Sequence, residues 1–166
     1  KYYETELGTL YLGNSLEILE SINQKYGVII SDLPYGVAYK KPKQTFMVGD
    51  TINIFPLFMP IAHKLLNDVG AIYLFAPSLK LVDILPTFQM YFKLKSILVW
   101  DKTLGLCPHH RSIYKFRYEL ILYGSKGLHL LNKFKDDIIP CKIDRGKKRI
   151  HPTQKPEQVI QYCLEN

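Results

Sequence analysis

At 166 residues the chain fits one domain with a sizeable core, and 47% hydrophobic with 22% charged residues is the composition of a soluble globular protein. No apolar run approaches the roughly 20 residues of a membrane helix, and no signal peptide is expected. Three scattered cysteines (Cys107, Cys141, Cys163) argue against a disulfide framework or a paired-cysteine zinc site and fit a reducing, cytoplasmic compartment. A net charge of +7 and a pI near 9.2 suit a polyanionic partner, nucleic acid first.

Residues 7–12 read as a short strand. Asn14 or Ser15 caps the next helix, whose apolar face is Leu16, Ile18, Leu19 and Ile22, and Tyr26-Gly27 closes it. Val28–Ile30 is short and β-branched and reads as a buried strand. It runs through Ser31 into Asp32-Leu33-Pro34-Tyr35-Gly36, which places a carboxylate and a Tyr where a strand ends. Ligands of open α/β sheets bind at such strand ends. Asp, Pro and Gly also favour plain turns, so the pentad by itself leaves both readings open. The strand–helix–strand order predicts a parallel sheet.

A basic, aromatic loop follows, then a helix over about 52–67, a turn at Asp68-Val69-Gly70 and a buried strand at Ala71–Ala76. Residues 78–90 read as a helix with Leu79, Val82, Leu85 and Phe88 or Gln89 on one face, weakened or kinked by Pro86. Lys95–Trp100 is a strand, 101–115 a polar loop and Tyr118–Tyr123 a strand. Residues 128–150 are basic and irregular. His151-Pro-Thr-Gln-Lys-Pro156 opens a last helix with the stripe Val159, Ile160, Cys163 and Leu164, and Pro156 suits its first turn.

Several of these stretches, in this order, resemble the DNA amino-methyltransferases that act on adenine N6 or cytosine N4, in the group whose catalytic motif precedes the cofactor motifs. Asp32-Leu-Pro-Tyr is similar to their Asp-Pro-Pro-Tyr motif, Leu10–Ile22 to the Gly-Asp-x-Leu segment, Leu66–Phe75 to a turn followed by a Gly-x-Ile-Tyr-x-Phe strand, and Trp100-Asp-Lys to a Trp-x-Lys element. Arg117–Gly127 resembles the strand near the target-base pocket, and His151–Pro156 the His-Pro-Thr-Gln-Lys-Pro element beside the cofactor. Leu33 replaces the first Pro of the motif, and Asn14 stands where Asp is usual. The Gly-rich loop that holds the cofactor does not occur in these residues, so the native protein is expected to continue past Asn166 or the gene to be truncated.

The resemblance implies an α/β, Rossmann-like S-adenosylmethionine-dependent methyltransferase fold, incomplete here, with residues 1–166 as a single methyltransferase domain. It implies methyl transfer from S-adenosylmethionine to adenine N6 of a flipped base in DNA, as in a restriction–modification enzyme. The alternatives are cytosine N4, or a degenerate module that only binds nucleic acid or a partner. Asp32 and the Leu33 carbonyl would accept the amine hydrogens. Pro34 would fix the turn, and Tyr35 would stack on the extruded base. Asn14, His151, Thr153 and Lys155 would border the cofactor. A homodimer is a family expectation. Lys40, Lys41, Lys43, His109, His110, Arg111, Lys147 and Lys148 are candidate DNA contacts, and a solvated surface explains such charges equally well. No metal is expected, because Cys107-Pro-His-His110 has no second ligand cluster.

Overall fold

The computed structural model describes residues 1–34, 53–106, 111, 114–144, 151 and 153–165. A small hairpin comes first, β1 (Tyr3–Thr5) and β2 (Gly8–Leu10), antiparallel and exposed. The strand expected at residues 7–12 therefore pairs with β1, outside the main sheet. Helix α1 (Ser15–Ser21) follows, capped as its sequence predicts: the Asn14 side chain accepts from the Leu16 amide at 3.2 Å. Tyr26-Gly27 does not close this helix. Both residues already belong to β3 (Tyr26–Ser31).

After β3 come α2 (Phe55–Leu65), β4 (Leu66–Ala76), a 3-10 turn at Ser78–Lys80, α3 (Leu81–Tyr91), β5 (Lys93–Leu106), β6 (Phe116–Ser125), β7 (Ile138–Pro140) and α4 (Glu157–Leu164). The main sheet runs β3-β4-β6-β5-β7. The β3–β4 and β5–β7 pairs are parallel, but the strand–helix–strand unit from which a parallel sheet was expected is neither of them, because its first strand pairs with β1 in the hairpin. Strand β6 is antiparallel to both of its neighbours, so the sheet is mixed.

The side-chain period of two divides β3, β4, β5 and β6 between two cores. Ile72, Leu74 and Leu122 face one side, against α2 and α3, with Leu16 and Leu19 of α1 at the margin. Ala71, Tyr73, Phe75, Leu98, Trp100, Ile121 and Tyr123 face the other, against Val159 and Cys163 of α4. Of the stripe expected on α4, Leu164 is exposed instead.

Four expectations fail for identifiable reasons. Asp68-Val69-Gly70 is part of β4, although β3 skips it: Tyr26 faces Leu66 and Val28 faces Ala71, so residues 67–70 bulge opposite Gly27. Of the face expected over 78–90, Phe88 is buried and Leu85 packs on the core, but Leu79 in the 3-10 turn and Val82 on α3 are exposed, and Ile84 is buried in their stead. Residues 78–80 are wound at three residues per turn, which shifts the phase of the α-helix that follows. Residues 101–106 extend β5 rather than forming a loop, and β7 adds three strand residues inside the region read as irregular. Trp100 secures that edge, its indole donating to the Cys141 carbonyl at 2.7 Å.

Gly124 lies in the central strand, paired with Ile72 and Leu94. A Cβ there would sit 2.7 Å from the Phe88 ring and 3.0 Å from the Lys93 carbonyl oxygen. Gly124→Ala is therefore expected to destabilise the fold by about 1–3 kcal/mol through overpacking, read as a lower urea midpoint with an unchanged slope.

Candidate active site

Strand parity assembles the site. Asp32 continues the Val28, Ile30 row of β3. Phe75 of β4 and Lys102, two residues past Trp100 of β5, lie on the same face. All three sit toward the C-terminal ends of parallel strands. Because β6 runs the other way, its early residue Glu119 reaches this same end, paired with Trp100. Lys155, just ahead of α4, comes down onto the group.

The result is an alternating line of charges. Lys155 Nζ is 2.8 Å from Asp32 Oδ2 and 3.1 Å from Glu119 Oε2. Lys102 Nζ donates to Glu119 Oε1 at 2.7 Å. Each ammonium also lies 5.1 Å from an aromatic ring centroid, Lys155 over Phe75 and Lys102 over Trp100. Lys102 is only 5% exposed, a position a lysine holds when it is paired. Burial pushes the Glu119 carboxyl up, and the ammoniums of Lys155 and Lys102 outweigh it, leaving the group below its usual value.

The strand is bent beside this line. Asp101 pairs with Tyr118 and Leu106 with Phe116, so residues 102–105 bulge opposite Arg117. Thr103 takes a left-handed φ of 63°, which costs a non-glycine residue about 1–2 kcal/mol. Its amide donates to Asp101 Oδ1 at 2.8 Å. Both Asp101 oxygens also accept from Arg117, at 2.8 Å each, and this fork with the Thr103 amide holds the Asp101 carboxyl down to about 2.

Of the residues singled out in the sequence, Asp32 and Lys155 are brought into contact. Leu33 and Pro34 are half-buried, and the Leu33 side chain packs on the α2–α3 core. His151 and Thr153 are exposed and turned to one another, Thr153 Oγ1 lying 3.0 Å from His151 Nδ1. Asn14 is occupied at the α1 cap and with Glu17. Arg111 is exposed, on the segment leading into β6, where Tyr114, Lys115 and Tyr118 are exposed as well. Tyr35, Lys40, Lys41, Lys43, His109, His110, Lys147 and Lys148 lie outside the described residues. Among the described residues no group of His, Cys, Asp or Glu is arranged to hold a metal, and no helix is long and apolar enough to cross a membrane.

Glu119, Lys102 and Phe75 lie in stretches singled out in the sequence without a role of their own. The available signal was a Glu opening an otherwise apolar strand core, Glu119-Leu-Ile-Leu-Tyr, within a stretch already singled out.

No protein-family model matches the sequence, and no curated protein is significantly similar to it. Solved structures are similar. M1.HpyAVI superposes with a TM-score of 0.65 over 93% of this chain and 73% of its own, at 19% identity. The M1.HpyAVI–SAM complex gives a TM-score of 0.63 over 90% and 70%, also at 19% identity. The chain has a Rossmann-like α/β fold, shared with the M1.HpyAVI structures. The line of charges lies where such α/β folds bind ligands, at the C-terminal strand ends.

The held-down Glu119 carboxylate carries a pH signature. A carboxyl depressed in the folded state contributes stability above its ordinary value of 4.5 and loses it as pH falls through the folded value. Glu119→Gln, which leaves two ammoniums short of one partner, is expected to cost about 3 kcal/mol near neutral pH. Urea unfolding of variant and wild type should show that gap narrowing steadily as the pH is taken below 4.5.

Proposed function

We propose that the protein is an S-adenosylmethionine-dependent DNA methyltransferase that methylates adenine N6, with Asp32 as the amine acceptor. The observation that carries this reading is the Lys155–Asp32 contact, which joins the Asp-Leu-Pro-Tyr and His-Pro-Thr-Gln-Lys-Pro segments at a strand end. The fold shared with M1.HpyAVI, whose structure with SAM is similar to this chain, supports it. So do the exposed Arg111, Tyr114 and Lys115 beside the start of β6, which suit a phosphate backbone and unstacked bases.

A nucleobase amine is a poor nucleophile because its lone pair is delocalised into the ring. Asp32 accepts one amine hydrogen and the Leu33 carbonyl the other, which turns the lone pair out of the ring plane. Pro34 restricts the turn that carries both acceptors, so their orientation is set before the substrate arrives. As the amine nitrogen forms its bond to carbon it becomes positive, and the Asp32 carboxylate stabilises that charge. The nitrogen then sheds one proton, to Asp32 and on to water. Tyr35 stacks on the extruded base.

The residues at the near edge fit a cofactor: His151 and Thr153 present exposed polar atoms a few residues ahead of Lys155, which itself reaches Asp32. When bound, S-adenosylmethionine supplies an electrophilic methyl group on a sulfonium, and the broken C–S pair stays on sulfur. We assign His151, Thr153 and Asn14 to its edge and Lys155 to the boundary between the two ligands.

Duplex DNA incubated with labelled S-adenosylmethionine is expected to gain N6-methyladenine, identified after nucleoside digestion. N4-methylcytosine as the product would move the target to cytosine. Asp32→Ala should lower turnover at least about 100-fold while leaving S-adenosylmethionine affinity within about threefold. Normal turnover in that variant would overturn the role of Asp32.

A further inference from the structure

Lys155 poses a problem for the acceptor it touches. An ammonium seated wholly on Asp32 would neutralise the carboxylate that has to stabilise an amine turning cationic. The cation is not seated wholly there. Its Nζ lies almost evenly between Asp32 Oδ2 at 2.8 Å and Glu119 Oε2 at 3.1 Å. Glu119 is in turn fixed from its other oxygen by Lys102, which is itself buried against Trp100. Glu119 therefore has little freedom to swing away, since its second oxygen is anchored by a buried partner on the next strand.

We propose that Glu119 is a positioning residue for Asp32, drawing the Lys155 ammonium toward itself so that the Asp32 carboxylate keeps the negative charge that a methylated amine requires. This rests on the reading of Asp32 as the amine acceptor. Lys102 completes the arrangement by holding Glu119 in register. The four groups sum to no net charge, so the line can sit at a half-buried strand end without a counter-ion. When an amine docks on Asp32, Lys155 has a second carboxylate within reach and shifts toward it, with no need to enter water.

Two variants test this in the intact protein. Glu119→Gln removes the carboxylate and keeps its shape. The double variant Lys102→Met/Glu119→Gln removes one charge of each sign, so that its folding does not suffer from an unpaired Lys102. Both are expected to lower kcat for duplex DNA about tenfold or more, with KM for DNA and for S-adenosylmethionine changed by less than about threefold. Recovery of kcat in the double variant to the wild-type value would show that Glu119 only neutralises Lys102, and would overturn the proposal.

A second readout does not depend on catalysis. In protein labelled with 15N-lysine, the Lys155 ammonium signal should move in Asp32→Asn and move again in Glu119→Gln. A Lys155 signal unmoved by Glu119→Gln overturns the proposal whatever the enzyme does. A wild-type protein that transfers no methyl group while this signal responds to both carboxylates would count against the proposed activity and leave the placement of Lys155 by Glu119 standing.

Discussion

A cation held away from water must be matched by anions, and that rule governs the end of this sheet. Lys155 meets it with two carboxylates, one just past the end of β3 and one on β6, and the latter meets it again with Lys102 of β5. None of these groups could take its place alone. Asp32 and Lys155 come from opposite ends of the chain, so their pairing depends on the sheet and α4 being assembled first. The ion line is less a source of stability than a record of correct assembly, because desolvating charges offsets most of what their attraction contributes.

The antiparallel course of β6 makes the line continuous. A parallel strand in the same place would put the start of its sequence at the other edge of the sheet, and Glu119 would lie far from Asp32. Reversal brings an early residue of β6 level with the late residues of β3, β4 and β5. The bulge at residues 102–105, with Thr103 in its left-handed conformation, then turns β5 away just beyond Lys102. Strain of this kind is tolerated where the surroundings fix the backbone, here through the Asp101–Arg117 fork.

Much of the scaffold was legible where residues decide their own surroundings. Val28–Ile30, Ala71–Ala76 and Tyr118–Tyr123 are each strands as expected; Ala71–Ala76 is buried throughout and Leu120–Tyr123 likewise, whereas Val28–Ile30 is half-buried rather than buried and Tyr118 is exposed. Asn14 caps α1 because an Asx side chain satisfies a neighbouring amide with no tertiary help. What escaped notice depends on partners distant in sequence. The polar end of β5 stays extended because Asp101 has Tyr118 opposite it, and β7 exists through its pairing with Val99–Asp101. Asp32 and Lys155 were both singled out, yet assigned to different ligands. Only the fold brings their side chains within 2.8 Å. Glu119 acquires a role only through Lys102 and Lys155, which lie well before and well after it in sequence order.

The position of β6 also has a consequence in time. It is the middle strand of the sheet and the fourth of its five strands to be synthesised. Until Phe116–Ser125 emerges, β4 presents one fully apolar edge with no strand beside it, and β5 has nothing to join. Pairing between β4 and β6 spans the whole of α3 and β5, which makes it a late, high-separation contact. The growing chain thus carries an open β4 edge while α3 and β5 are being made, the condition under which strands of separate molecules find each other. The β5–β6 hairpin, local and antiparallel, is the unit whose insertion closes that edge.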